Sequence, residues 1–315
     1  MMGKQLKIGI PRALLYFWYG KIWEQFWIDA GCEVKTSTPT NPKVMKAGID
    51  AAIEELCLPI KIFLGHVITL IDQVDWIMIP HLLQVQKDAF ICPKFMGLPD
   101  IINHAVPESR GKLLIVRMGI RNLDIMSSLC ESAQRIGISP GKQQNLRKDC
   151  YDKIYQPALE IIQKSQFQAT DSSELNIGLL GHPYCLYDGC LNLDLLKILA
   201  QQKVFVYTPE MMPKKLQGIG SGKLSKKLFW TIGKMQFDAL DWLMNENSTQ
   251  MDGFIHITPF ACGPEAIVSD LIGRRIQKIN KPFLILNYEE QSGEAGMITR
   301  IEAFVDLIKH QHIAC

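Results

Sequence analysis

Apolar residues follow two alternating patterns along this chain. Short continuous runs suit buried strands, and longer stretches spaced by three and four suit helices. Residues 5–10 form the first run, and Pro11-Arg12 opens a predicted helix that Gly31 ends. That helix is rich in aromatics (Tyr16, Phe17, Trp18, Tyr19, Trp23, Phe26, Trp27), a stripe suited to a core or to a subunit interface. A strand at 32–35 precedes a helix opened by Asn41-Pro42 and running to about Leu56, with Cys57-Leu58-Pro59 at its C-terminal end. A helix at 60–71, a strand at 76–79 and a loop from Pro80-His81 to Pro99 come next. A strand at 112–117, helices at 121–136 and 142–164, and a polar linker at 168–175 close the first half.

The second half repeats the rhythm. Strands are predicted at 176–180, 203–207, 253–257 and 283–287. Helices are predicted at 191–202 and 224–245, from Pro264, and from Glu294. Strands alternating with helices predict parallel sheets covered on both faces, hence an α/β fold. Two domains are expected, 1–170 and 171–315. In open parallel sheets ligands bind beyond the carboxyl ends of the strands. The loops 181–188, 258–264 and 288–296 share that rim in the second domain, and loops 11–12 and 80–99 share it in the first. Rims that face each other would gather Cys57, Cys92 and Cys262 in an interdomain cleft.

Composition narrows the function. The chain has 315 residues, 47% apolar and 21% charged, with a net charge of +2. That balance offers no field for nucleic acid or an anionic membrane, and no apolar run is long enough to span a bilayer. The N-terminal residues carry charge but no apolar signal core, so a cytoplasmic protein is expected. Nine cysteines is many for such a compartment, and the number points to metal or redox chemistry rather than disulfides.

Three cysteines share a context: Cys57-Leu58-Pro59, Cys92-Pro93 and Cys262-Gly263-Pro264. A following Pro stiffens the turn and fixes the direction of the thiolate. Cys262 also precedes a predicted helix N-terminus, where a thiolate is stabilised. Two metals fit three such thiolates. Zinc needs a fourth ligand, with His66, His81 and His182 as candidates. A [4Fe–4S] cluster uses three thiolates and leaves one iron open or bound to a non-cysteine ligand. Cys185 and Cys190 flank a rim loop as auxiliary candidates, whereas Cys130 and Cys150 suit simple packing.

Several segments together resemble the iron–sulfur component family of 2-hydroxyacyl-CoA dehydratases and benzoyl-CoA-type reductases, and most closely its acyl-CoA dehydratase activase-related branch. They are Ile8-Gly9-Ile10-Pro11-Arg12-Ala13-Leu14, Glu54-Glu55-Leu56-Cys57-Leu58-Pro59-Ile60-Lys61 and Cys92-Pro93-Lys94-Phe95. Gly181-His182-Pro183-Tyr184, Cys262-Gly263-Pro264-Glu265 and Gly293-Glu294-Ala295-Gly296 complete the set. The resemblance implies flavodoxin-like (Rossmann-like) domains and a [4Fe–4S] cluster on Cys57, Cys92 and Cys262, with a double-cubane cluster in some relatives. It also implies a separate ATP-dependent iron–sulfur activator as partner. The chain itself lacks the phosphate loop G-x-x-x-x-G-K-[ST].

The function expected from this is low-potential electron transfer, with electrons received from the activator. Its enzymatic neighbour is a dehydratase subunit that binds an acyl-CoA carbonyl at the open iron. A non-catalytic cluster carrier and a structural zinc protein are the bland alternatives. Around the cysteines, Arg12, Lys61 and Lys94 are candidate cofactor contacts. His182, Glu289 and Glu294 are candidate proton-handling groups, although a first-turn Glu such as Glu294 also serves the helix dipole. The aromatic helix admits a homodimer.

Overall fold

A computed structural model describes residues 5–86, 89–119, 125–138, 153–166, 174–245 and 251–314. The chain divides into two compact units, 1–157 and 158–315.

The first unit is built on a four-stranded parallel sheet of β1 (Lys7–Ile10), β2 (Glu33–Thr36), β3 (Trp76–Leu82) and β6 (Leu113–Met118), in the order β2-β1-β3-β6. A short antiparallel ribbon, β4 (Gln84–Gln86) and β5 (Ala89–Phe90), follows β3. Helices α1 (Tyr16–Asp29), α2 (Pro42–Ala51), α3 (Leu58–Leu70), α4 (Pro93–Met96), α5 (Leu98–Ala105) and α6 (Ile125–Arg135) complete it, and α7 (Gln156–Gln166) crosses the division between the units. All seven aromatics of α1 are buried in this unit, so the stripe is core. The Trp27 indole N–H reaches Met78 Sδ at 3.4 Å on the strand it covers.

The second unit repeats the plan. Strands β7 (Leu175–Gly181), β8 (Val204–Tyr207), β9 (Gly253–Pro259) and β10 (Phe283–Tyr288) pair in parallel in the order β10-β9-β7-β8. Helices α8 (Pro183–Tyr187), α9 (Leu195–Gln201), α10 (Ile219–Gly222), α11 (Thr231–Asn245), α12 (Gly263–Gln277) and α13 (Glu294–Ala314) surround it. Every residue of β9 is buried, as a strand covered on both faces requires. Numbered within each unit, both sheets run 2-1-3-4, a flavodoxin-like order. Each therefore has a switch point, between β1 and β3 in the first unit and between β7 and β9 in the second.

The fold class is α/β as expected, with corrections at element ends. Helix α1 starts at Tyr16 rather than Pro11, because Leu14 adopts φ +52° and the chain must turn before it can coil. Helix α2 stops at Ala51, since Ala52 is extended, so Cys57 does not end α2 but opens α3. Strand β3 continues through Pro80. β1 pairs with it only at Trp76 and Ile77, so beyond them one side of β3 needs no N–H from Pro80. Helix α9 starts at Leu195 because Leu193 and Asp194 take left-handed backbone, and α11 starts at Thr231. The first part of the expected 142–164 helix, most of the 168–175 linker, Cys150 and Cys315 lie outside the described residues.

Candidate functional site

Each of the three Cys-Pro cysteines is the N-cap of a helix. In the first unit Cys57 caps α3 with extended backbone and Pro59 in the first turn. Cys92 caps α4, with Pro93 in the first turn and its Sγ accepting the Lys94 N–H at 3.4 Å. Pro suits these positions because the first-turn N–H groups have no intrahelical partner. The exposed N–H groups and the helix dipole favour negative charge on the capping sulfur.

Cys57 is buried, and burial pushes its thiol up; the Lys94 ammonium opposes the rise and Cys92 adds to it. Cys57, Cys92 and Lys94 therefore lie within electrostatic reach of one another. The Lys94 Nζ also donates to the Glu55 carbonyl at 2.9 Å, joining the segment before Cys57 to the turn of Cys92. Lys61, buried, lies one turn into α3. Arg12 follows β1, where its backbone N–H donates to Ser37 Oγ at 2.8 Å and its guanidinium lies 5.9 Å from the Tyr16 ring centre.

In the second unit Cys262 caps α12, just beyond β9, after Ala261 in left-handed backbone. Pro264 and Glu265 occupy the first turn, and Glu265 points inward rather than to solvent, 1% exposed. Its carboxylate accepts His182 Nε2 at 2.5 Å, His256 Nε2 at 2.6 Å and Gln236 Nε2 at 3.1 Å. His182 caps α8 at the exit of β7, and its Nδ1 meets the Tyr184 hydroxyl at 2.5 Å. His256 lies on β9, with Nδ1 3.1 Å from Ser269 Oγ. Burial alone would raise the Glu265 carboxyl, but His182 and then His256 outweigh it and hold the group well below the usual carboxylate range. The switch point between β7 and β9 is thus underlain by an ionised carboxylate clamped between two imidazoles.

The turn after β7 is rigid. Residues 183–187 are all buried, and the Asn192 amide donates to the carbonyls of Cys185 at 3.0 Å and Leu186 at 2.8 Å. The Tyr187 hydroxyl bonds to Thr208 at 3.0 Å and to the Glu210 carboxylate.

The remaining candidates separate. His66 is fully buried between Ser37 Oγ (2.8 Å) and Thr40 Oγ1 (3.0 Å), a satisfied core histidine. His81 Nε2 is occupied by the Met96 carbonyl at 2.8 Å, and His182 by Glu265. Cys190 has its thiol pushed up by burial and by Asp188 and Asp194, which disfavours a thiolate. Glu289 and Glu294 are exposed after β10, and neither carboxylate takes a hydrogen bond or ion pair among the described residues. Within each unit, no three described His, Cys, Asp or Glu side chains are gathered as a metal ion would need. The Glu265 network is hydrogen-bonded, with the imidazoles on opposite oxygens.

Glu265, His256, Gln236 and Tyr184 are the residues that pattern reading missed as a group. Their signal was a polar residue inside an otherwise apolar strand (His256) and a first-turn acid beside a capping cysteine (Glu265).

Residues 7–212 match the family described as CoA enzyme activase uncharacterised domain (DUF2229). That span includes Cys57, Cys92 and His182 and stops before β9 and Cys262. Among solved structures, the crystal structure of ZnuA is similar over 97% of this chain and 99% of its own, at 8% identity and a TM-score of 0.25. No curated protein matches the chain in sequence. No described helix is long and apolar enough to cross a membrane.

Proposed function

The chain belongs to the CoA enzyme activase uncharacterised domain family, and from that premise we propose that it is a low-potential iron–sulfur protein. Its electrons come from an ATP-dependent activator and serve reductive or radical chemistry on acyl-CoA compounds. The observation that carries this reading is the shared geometry of Cys57, Cys92 and Cys262, each a helix N-cap with Pro in the first turn. These three would hold a [4Fe–4S] cluster, which when bound supplies one-electron transfer at low potential and one iron without a cysteine ligand. Three helix N-termini stabilise the thiolates, and Lys94 offsets part of the added negative charge. Burial pushes the Cys57 thiol up, and a bound metal would take the place of its proton. Glu265 holds the His182 imidazole in one orientation at the β7 exit. The reading assigns the protein to a reducing compartment, the cytoplasm.

The test mixes anaerobic protein with the activator, a reductant and ATP. A paramagnetic signal from the reduced chain should appear only when ATP is present. The same signal without ATP would overturn the reading. Adding a panel of acyl-CoAs then separates the neighbours. Turnover of a 2-hydroxyacyl-CoA indicates a dehydratase subunit, and loss of the cluster to an apo-acceptor without substrate reduction indicates a carrier.

A further inference from the structure

Within the connection from β8 to α11, residues 213–230 carry five lysines and no Asp or Glu. The chain as a whole is only +2, so this concentration is local. Lys223 is committed to Asp241 at 2.6 Å. Lys215, Lys226 and Lys227 are exposed and have no ion pair among the described residues. On the same segment Ile219 and Phe229 stand 48% and 64% exposed.

The turn that carries Ile219 is held in place. Asp238 on α11, itself buried, accepts the Gly218 N–H at 2.7 Å and the Ser221 N–H at 2.6 Å, one on each oxygen. Asp241, one turn on, ties down Lys223 and also takes Arg275 from α12 at 3.3 Å. Two carboxylates hold residues 218–223; Leu228 is buried and Leu216, Leu224 and Trp230 pack against the core, so Ile219 and Phe229 are the apolar side chains of this segment that face water.

Its position matters too. The loop leaves the carboxyl end of β8 and returns to the start of α11, whose Gln236 bonds Glu265 in the first turn of α12. The basic loop therefore lies on the rim of the second unit's sheet that also carries Cys262.

We propose that residues 213–230 form a docking surface for an acidic protein. Its carboxylates pair with Lys215, Lys226 and Lys227, and an apolar patch covers Phe229 and Ile219. Resting on the reading above, the occupant is the ATP-dependent activator, delivering its electron beside Cys262. Exposed apolar side chains on one segment with charged ones are what such an interface uses. A bilayer fits less well, because α10 has four residues and offers no long apolar face to lie in lipid.

The test uses the full chain and the purified activator, with affinity from biolayer interferometry and contacts from carbodiimide cross-linking. Wild type should cross-link through Lys226 or Lys227, and its association should slow as salt rises. The double variant Lys226→Glu/Lys227→Glu should bind at least about tenfold more weakly, and Phe229→Ala should speed dissociation. Thermal midpoint and iron content should not move. Unchanged affinity in both variants, no binding by wild type, or binding to phosphatidylserine vesicles instead would overturn the proposal. Iron content is read separately, so an iron-free chain that still binds through these lysines defeats the iron–sulfur reading and not the docking surface.

Discussion

His182 donates from Nε2 to the Glu265 carboxylate at 2.5 Å, and both side chains are buried in the second unit. This bond ties the exit of β7 to the first turn of α12, the turn that Cys262 caps. A carboxylate at that depth is tolerated only because every direction it faces offers a donor: His182, His256 and the Gln236 amide. The same arrangement fixes where Cys262 stands.

Removing the carboxylate leaves the buried His182 imidazole and the Gln236 amide N–H without their acceptor, and His256 Nε2 with only the Gln236 amide oxygen at 3.0 Å. Glu265→Ala should therefore cost about 3 kcal/mol in urea unfolding, and Glu265→Gln less, since an amide oxygen still accepts one imidazole N–H. An unchanged unfolding midpoint for Glu265→Ala would mean that the network does not organise the turn.

Acid should weaken the same network. The Glu265 carboxyl lies below its ordinary value in the folded chain, because the two imidazoles outweigh burial. Its stabilisation is complete above the unfolded value and fades as pH falls toward the folded one. Glu265→Gln should therefore unfold with a flatter pH dependence below about pH 4.5 than wild type. Parallel acid-unfolding curves would contradict this.

His66 acts in a different window. Burial, and then the Arg12 guanidinium, push its imidazole down to about 4 from the ordinary 6.5. Between those values the unfolded chain binds a proton that the folded one refuses, so stability is full above the higher value and declines as pH drops. The decline is about 3 kcal/mol across the window. In a nuclear magnetic resonance titration the His66 ring should stay neutral at pH 5.5, and titration near 6.5 would contradict the buried placement.

The first unit depends on a close helix crossing. A methyl group on Gly48 would fall 1.8 Å from the Lys61 carbonyl, and one on Gly65 2.0 Å from the Val44 carbonyl. Backbone cannot yield as a side chain can, so Gly48→Ala or Gly65→Ala should lose about 2–3 kcal/mol or more and displace the start of α3, where Cys57 stands. Wild-type stability in both variants would mean that α2 and α3 do not pack this way.

Much of this structure could be read from residue pattern alone. The apolar run at 253–257 can be little else than a covered parallel strand, the run at 283–287 reads as a strand although it lies half-buried at the sheet edge, and Cys followed by Pro announces a helix start. The errors have a common cause. Leu14 and Leu193 turn the chain with left-handed backbone that nothing in their side chains advertises. The apolar sequence across 44–70 hides the break that makes Cys57 a cap rather than a helix end. The Glu265 network was invisible because its members come from the turn between β7 and α8, from α11, β9 and α12, and only the folded sheet brings them together.

Anaerobic reconstitution with iron and sulfide, followed by metal analysis of wild type and of Cys57→Ser, Cys92→Ser and Cys262→Ser, tests the central claim most directly. The account predicts about four irons per wild-type chain and loss of most of that iron in each variant. Wild type that holds zinc at full occupancy, or variants that keep the wild-type iron content, would contradict it.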